Sequence, residues 1–131
     1  MTRKYRFLLV ATVVFRTLST TTTAFATDAS EGSEILKACG IEGGLVVHLG
    51  CGDGRLTAVL HTDDSYLVHG LDADATNIAK AREHVRAKGL YGKVSVDTFD
   101  GKRLPYADNL VNLLVADNLG RVTKDEAMRV L

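Results

Sequence analysis

Leu45-Val46-Val47-His48-Leu49-Gly50-Cys51-Gly52-Asp53-Gly54-Arg55 is the stretch on which the reading of this 131-residue chain turns. An apolar run of strand character feeds directly into a loop with glycine at every second position. Lacking Cβ atoms, such a loop lets backbone N–H groups approach a ligand closely. A second apolar run, Tyr66-Leu67-Val68-His69-Gly70-Leu71, ends at Asp72, 22 residues after Gly50. Strand, glycine loop, helix, strand and terminal acid together describe half of a nucleoside-binding α/β domain.

Outward from this core, the elements alternate. Ser33–Cys39 has a helical pattern with Gly40 as its C-cap, and Gly43-Gly44 turns the chain into a first strand over 45–49. Leu56, Val59 and Leu60 suit a short helix on the sheet, and a second strand follows over 66–71. Asp74 caps a helix over 75–88 whose Ile78, Ala81, Val85 and Ala79 face inward, with His84 a solvated residue of that helix and Gly89 its end. The alternating 93–99 reads as a third strand. The segment 102–109, with the chain's one proline at Pro105, reads as a loop, and the apolar 110–116 as a fourth strand buried on both faces. Thr123-Lys124-Asp125-Glu126 reads as a capping box opening a last helix. The order implies an α/β fold, a Rossmann-like parallel sheet with helices on both faces, ending after the fourth strand and the start of the next helix. An apolar edge at 110–116 should not face solvent, so a missing C-terminal segment or a partner chain is expected to cover it.

The N-terminus has the grammar of an export leader: basic Arg3, Lys4 and Arg6, an apolar Phe7–Phe15, then Ala24-Phe25-Ala26 as a small-x-small cleavage pattern. The organisation expected is a signal peptide over 1–26, a joint over 27–32 and a partial domain over 33–131, exported to the periplasm or cell envelope. A leader without that role would leave the protein cytoplasmic. Nine apolar residues before Arg16 are far fewer than the ~20 of a transmembrane helix, so no stable membrane span is expected. Removal of the leader leaves 12 basic against 16 acidic residues, a net charge of −4 that gives no electrostatic reason to expect nucleic acid. Cys39 and Cys51 are too few for a disulfide framework, and no Cys/His spacing suggests a metal. They read as small buried residues, although in an exported chain they could pair.

The dinucleotide fingerprint G-x-G-x-x-G is not met, because Arg55 stands where its third glycine would be. Gly50-x-Gly52-x-Gly54 instead resembles motif I of the class I S-adenosylmethionine-dependent methyltransferases, and the likeness extends over about 33–131. The resemblance implies S-adenosylmethionine as cofactor and a set of binding residues: His48, Gly50, Cys51, Gly52, Gly54, Asp72, Ala73, Asp100, Gly101 and Asp117. Asp72 matches the acid that holds both ribose hydroxyls; Asp100-Gly101, followed by Leu104-Pro105-Tyr106, matches the adenine-binding turn; Asp117-Asn118 lies at the strand end facing the substrate. Ala127–Leu131 is similar to the helix preceding a Pro-Gly-Gly turn. His48 departs from the family, which usually has Asp or Glu there, and reads either as a cofactor contact or as a strand histidine satisfied by backbone. Asp53 reads as a helix N-cap.

The resemblance implies the cofactor-binding part of a methyltransferase acting on an unknown acceptor, with no obligatory general base. It also admits the front of a signal-peptide, methyltransferase-like and β-propeller fusion. Two other readings are a non-catalytic binding or assembly domain of the cell envelope and a half-domain of an NAD-dependent dehydrogenase.

Overall fold

A computed structural model describes residues 7–10 and 28–131. Its centre is a parallel sheet of β1 (Phe7–Val10), β2 (Gly44–Leu49), β3 (Tyr66–Asp72), β4 (Val94–Thr98) and β5 (Leu113–Ala116), in the order β1-β5-β2-β3-β4. The helices are α1 (Asp28–Ala38), α2 (Arg55–Val59), α3 (Ala75–Ala87) and α4 (Lys124–Val130). Alternate residues of β2 enter opposite cores, as the period of a strand requires. Val46 joins Leu36, Leu60, Ile78 and Val85 beneath α1–α3, whereas Val47 and Leu49 join Leu104, Val111, Val130 and Leu131 beneath α4 and the chain before β5. The expected two-sided α/β layering is therefore present.

Helix boundaries follow local chemistry. The Asp74 carboxylate accepts from the Thr76 amide at 2.7 Å and starts α3. At its far end, Gly89 at φ +68° lets the Leu90 amide reach back to the Val85 carbonyl at 3.1 Å, a left-handed helix stop. Ile78, Ala81 and Val85 are buried as expected, but Ala79 is exposed.

Several boundaries are corrected. Residues 28–32, read as a joint, are helical, and Gly32 lets α1 lie so close to α2 that an added Cβ would meet the Val59 carbonyl oxygen at 2.1 Å. The fourth sequence strand is shorter than 110–116: Leu110 is half-exposed, and the Val111 amide donates to the Val130 carbonyl at 2.8 Å. Asn112 brackets Leu45 instead, its amide donating to the Leu45 carbonyl and its side-chain oxygen accepting from the Leu45 amide. The capping box is half made, because Thr123 accepts from the Glu126 amide while the Glu126 carboxylate turns to Arg129 and the Leu104 amide.

The β5 edge, which the sequence left to a missing C-terminal segment or a partner chain, pairs with a strand of this chain. Phe7–Val10, inside the segment read as a leader, pairs in parallel with Leu113–Ala116. The rest of the leader, including the cleavage pattern at 24–26, lies outside the described residues. The opposite edge is guarded by Arg82, whose Nε donates to the Val96 carbonyl at 3.0 Å and whose guanidinium pairs with Asp97. No described helix is long and apolar enough to cross a membrane.

Candidate functional site

Strand order reverses between β2 and β5, since β3 and β4 follow on one side of β2 and β5 lies on the other. In open parallel sheets the crevice at that reversal, outside the carboxyl ends of the strands, is where ligands bind. A cleft of about 270 Å³ lies there, built from the ends of β2 (Leu49, Gly50), β3 (Asp72, Ala73) and β4 (Phe99, Gly101), and the 118–121 loop after β5. Its volume falls just below the roughly 300–1,000 Å³ usual for small-molecule sites. A larger depression of about 550 Å³ lies at the opposite end of the sheet, beside Leu45, Tyr66 and Lys93, where the same rule places no ligand.

The first three amides of the glycine loop are already engaged within the protein. The Gly50 and Cys51 amides both donate to the Leu71 carbonyl, at 2.7 and 3.1 Å, and the Gly52 amide donates to Asp72 Oδ2 at 3.1 Å. These bonds stitch the loop to the end of β3. Gly50 and Gly52 hold φ of +74° and +55°, and a Cβ built on either meets nothing within 4 Å, so this side of the loop is open. Gly54 differs: at φ +80°, its Cβ would come within 2.9 Å of Ala81, so its place in the loop serves the packing of α2 on α3. The N-cap of α2 is Gly54, not Asp53, whose carboxylate accepts from the Arg55 amide at 3.2 Å.

Asp72 is the best-placed acid. Its Oδ1 accepts from the Asp74 amide at 2.8 Å, and its Oδ2 accepts from Gly52 and from Asn77 Nδ2 at 3.2 Å. A carboxylate has about four acceptor sites, so these bonds fix its orientation and leave capacity for a ligand donor.

His48 does not line the cleft. Its imidazole is 5% exposed and shares a 2.8 Å hydrogen bond between Nδ1 and the hydroxyl of Thr57, which is itself fully buried. Burial pulls the ring down to about 4, against the opposing charges of Asp117 and Asp72. The partner is thus a side chain of α2, neither the backbone nor the cleft. Cys51 also points inward, against the Gly70 backbone. Burial, with the nearby Asp72 charge, pushes its thiol up to about 12, so it holds no reactive thiolate near neutrality. Both cysteines are free and buried.

Asp100 and Gly101 form the turn beyond β4. Asp100 Oδ1 accepts from the Lys102 and Arg103 amides at 2.8 and 2.9 Å, which holds the carboxyl below the usual range. The loop that follows is pinned at Tyr106: its hydroxyl bonds His69, which bonds Asp97 at 2.9 Å. Asp117 is exposed beside the cleft and is not among its lining residues, whereas Asn118 lines it and accepts from the Gly120 amide at 3.0 Å. Of the residues expected from sequence, Gly50, Asp72, Ala73 and Gly101 line the cleft. Gly52 and Asp100 support it, and His48, Cys51 and Gly54 lie behind it. Sequence reasoning missed Phe99, which it placed in a strand, as well as Leu119 and Arg121. A lone arginine in a turn carries no motif that would have marked it.

Comparison with known proteins agrees with this geometry. Residues 46–131 match the family model described as a methyltransferase domain, which is more than half of the chain. The methyltransferase GfsG of Streptomyces halstedii is 32% identical over 86 residues, covering 64% of this chain and 31% of that protein. A SAM-dependent methyltransferase from Aquifex aeolicus superposes with a TM-score of 0.66 at 22% identity, over 76% of this chain and 57% of that one. The [4+2]-cyclase SpnF superposes with a TM-score of 0.68 at 24% identity, over 79% and 40%. The chain therefore spans about a third of its curated relative and about half of these solved structures. Fold, glycine loop, strand-end acid and the family match converge, and the chain belongs to the methyltransferase domain family.

Proposed function

We propose that this chain is the S-adenosylmethionine-binding part of a methyltransferase whose methyl acceptor remains to be identified. The observation that carries the reading is Asp72: a carboxylate held at the switch-point cleft by three hydrogen bonds, with acceptor capacity left over. The residues fit a nucleoside. Asp72 keeps an acceptor position for a ribose hydroxyl, Gly50 and Gly52 leave the floor open, and Gly101 brings the turn beyond β4 to the same cleft. The bound cofactor would supply an electrophilic methyl group on a sulfonium. The protein's own part is to orient the nucleoside and shield it, since an in-line displacement depends chiefly on alignment.

The dinucleotide reading is disfavoured by the same hydrogen bonds. A pyrophosphate on a glycine loop needs free backbone donors, and Gly50, Cys51 and Gly52 spend theirs on Leu71 and Asp72. Titration calorimetry with adenosylhomocysteine and with NAD separates the two: saturable binding of the first alone supports the methyltransferase reading, and binding of NAD alone defeats it.

For the leader we propose retention as an edge strand over cleavage as a signal, because Phe7–Val10 pairs with β5. The charge and small-residue pattern of 1–26 supports the export alternative, which keeps the periplasmic location. Intact-mass measurement of protein made with its own N-terminus decides: a chain starting at Met1 fits the strand, one starting at Thr27 fits export.

A further inference from the structure

The cleft is crossed by a side chain for which the reading above gives no role. Arg121, in the loop after β5, donates from Nη2 to the backbone carbonyl of Asp100 at 2.8 Å. Gly101 and the 118–121 loop both line the cleft, and this bond ties that loop to the Asp100–Gly101 turn. Arg121 is also the one cation among the residues lining that cleft, and its backbone neighbours Leu119 and Gly120 line it too. The guanidinium lies low over the turn: a Cβ built on Gly101 would stand 3.1 Å from Nη2, 3.5 Å from Nε and 3.7 Å from the Cβ of Ala73. Any other residue at 101 would thus push against the guanidinium, and Gly101, at φ +81°, has the backbone conformation that glycine adopts readily.

We propose that Arg121 is a base-clamping residue, its planar guanidinium stacking on a ring bound beside Gly101 and Ala73, and so selecting a flat, electron-rich heterocycle. The inference rests on the cofactor-site reading, which puts a nucleoside base at the Asp100–Gly101 turn. Arginine suits this position better than lysine, because its plane can stack on a ring while an edge N–H stays on the Asp100 carbonyl. A ligand carboxylate would instead draw the guanidinium off that carbonyl toward the glycine loop, and nothing in the geometry holds it there.

The test is calorimetric titration of the full chain with two ligands, adenosylhomocysteine and adenosine, which share the base and ribose but differ in the amino-acid tail. Arg121→Ala should weaken both by the same factor, roughly tenfold, as expected for loss of a partly desolvated cation–π contact. Arg121→Lys should recover less than half of that loss on a logarithmic scale, and it serves as the folded variant if the alanine protein is unstable. Equal wild-type and variant affinities would overturn the clamp, as would a loss confined to adenosylhomocysteine, which would put the guanidinium on the tail. If the wild-type chain binds neither ligand, the cofactor-site reading itself fails and the clamp with it; binding by wild type with an unaffected variant defeats the clamp alone.

Discussion

His48 is a residue whose departure from the family pattern has a definite physical outcome. A histidine at the end of β2 could have met a ligand; instead it is sealed against Thr57 and kept neutral by burial. The sign of its pH effect follows from linkage. Its folded value of about 4 lies below the ordinary 6.5, so on acidification the unfolded chain takes up a proton that the folded chain refuses. Stability is therefore full above pH 6.5 and falls as the pH drops toward 4, by about 3 kcal/mol if the whole shift is expressed. Denaturant titrations of wild type and His48→Gln between pH 7 and 4 check this: the slope should flatten in the variant, and equal slopes would contradict it. Asp72 carries the opposite kind of lesson. Its place at the cleft was legible from its position at a strand end, but its three internal bonds were not. Asp72→Ala should accordingly lose ligand binding and also about 1–2 kcal/mol of stability, because the Gly52 amide is left without its acceptor, read as a lowered denaturant midpoint.

Elements are held in place by contacts that periodicity does not announce. The helices were legible from their apolar spacing and caps, and α3 came out within a residue of its expected span. Boundaries failed where tertiary partners took over: Asn112 leaves the ladder to bracket Leu45, and the Glu126 carboxylate abandons its capping box for Arg129. Arg129 also reaches Asp108 and the carbonyls of Leu104 and Tyr106, so α4 is bound to the loop that leads from the Asp100 turn. The Arg129 hydrogen bonds pull Glu126 down to about 2 from 4.5. Since its folded value is depressed, that contribution is present above pH 4.5 and is lost as the pH falls toward 2, a window below that of His48. Glu126→Gln should lower the thermal midpoint at pH 7 by several degrees and leave no difference from wild type near pH 2; an equal deficit at both pH values would contradict the assignment. Gly54→Ala should be costlier than its small volume suggests, about 1–3 kcal/mol, since the methyl collides with Ala81 in a backbone conformation with φ +80°. A chemical denaturation midpoint unchanged from wild type would contradict it.

At the scale of the molecule, the alternation of elements and the apolar runs at 45–49 and 66–71 were enough to give a parallel sheet with two covered faces. The strand that covers β5 was not legible, because Phe7–Val10, following the basic Arg3, Lys4 and Arg6, is also the start of an export-leader pattern, and composition cannot tell the two uses apart. The cleft was half legible. Glycines and acids stand out at fixed offsets, whereas Phe99 and Arg121 reach the cleft only through loops whose path depends on the packed fold. If β1 is integral, a chain shortened to 27–131 exposes the β5 edge and should self-associate in light scattering at concentrations where the full chain is monomeric. Matching masses for the two would contradict it.

The central claim, a nucleoside site organised by Asp72 at the switch point, is tested most directly by isothermal titration of adenosylhomocysteine into the full chain and into Asp72→Ala, with circular dichroism confirming that both are folded. The account predicts saturable one-site binding by the wild type and none by the variant. A folded wild type without binding, or a variant that binds as tightly, would contradict it.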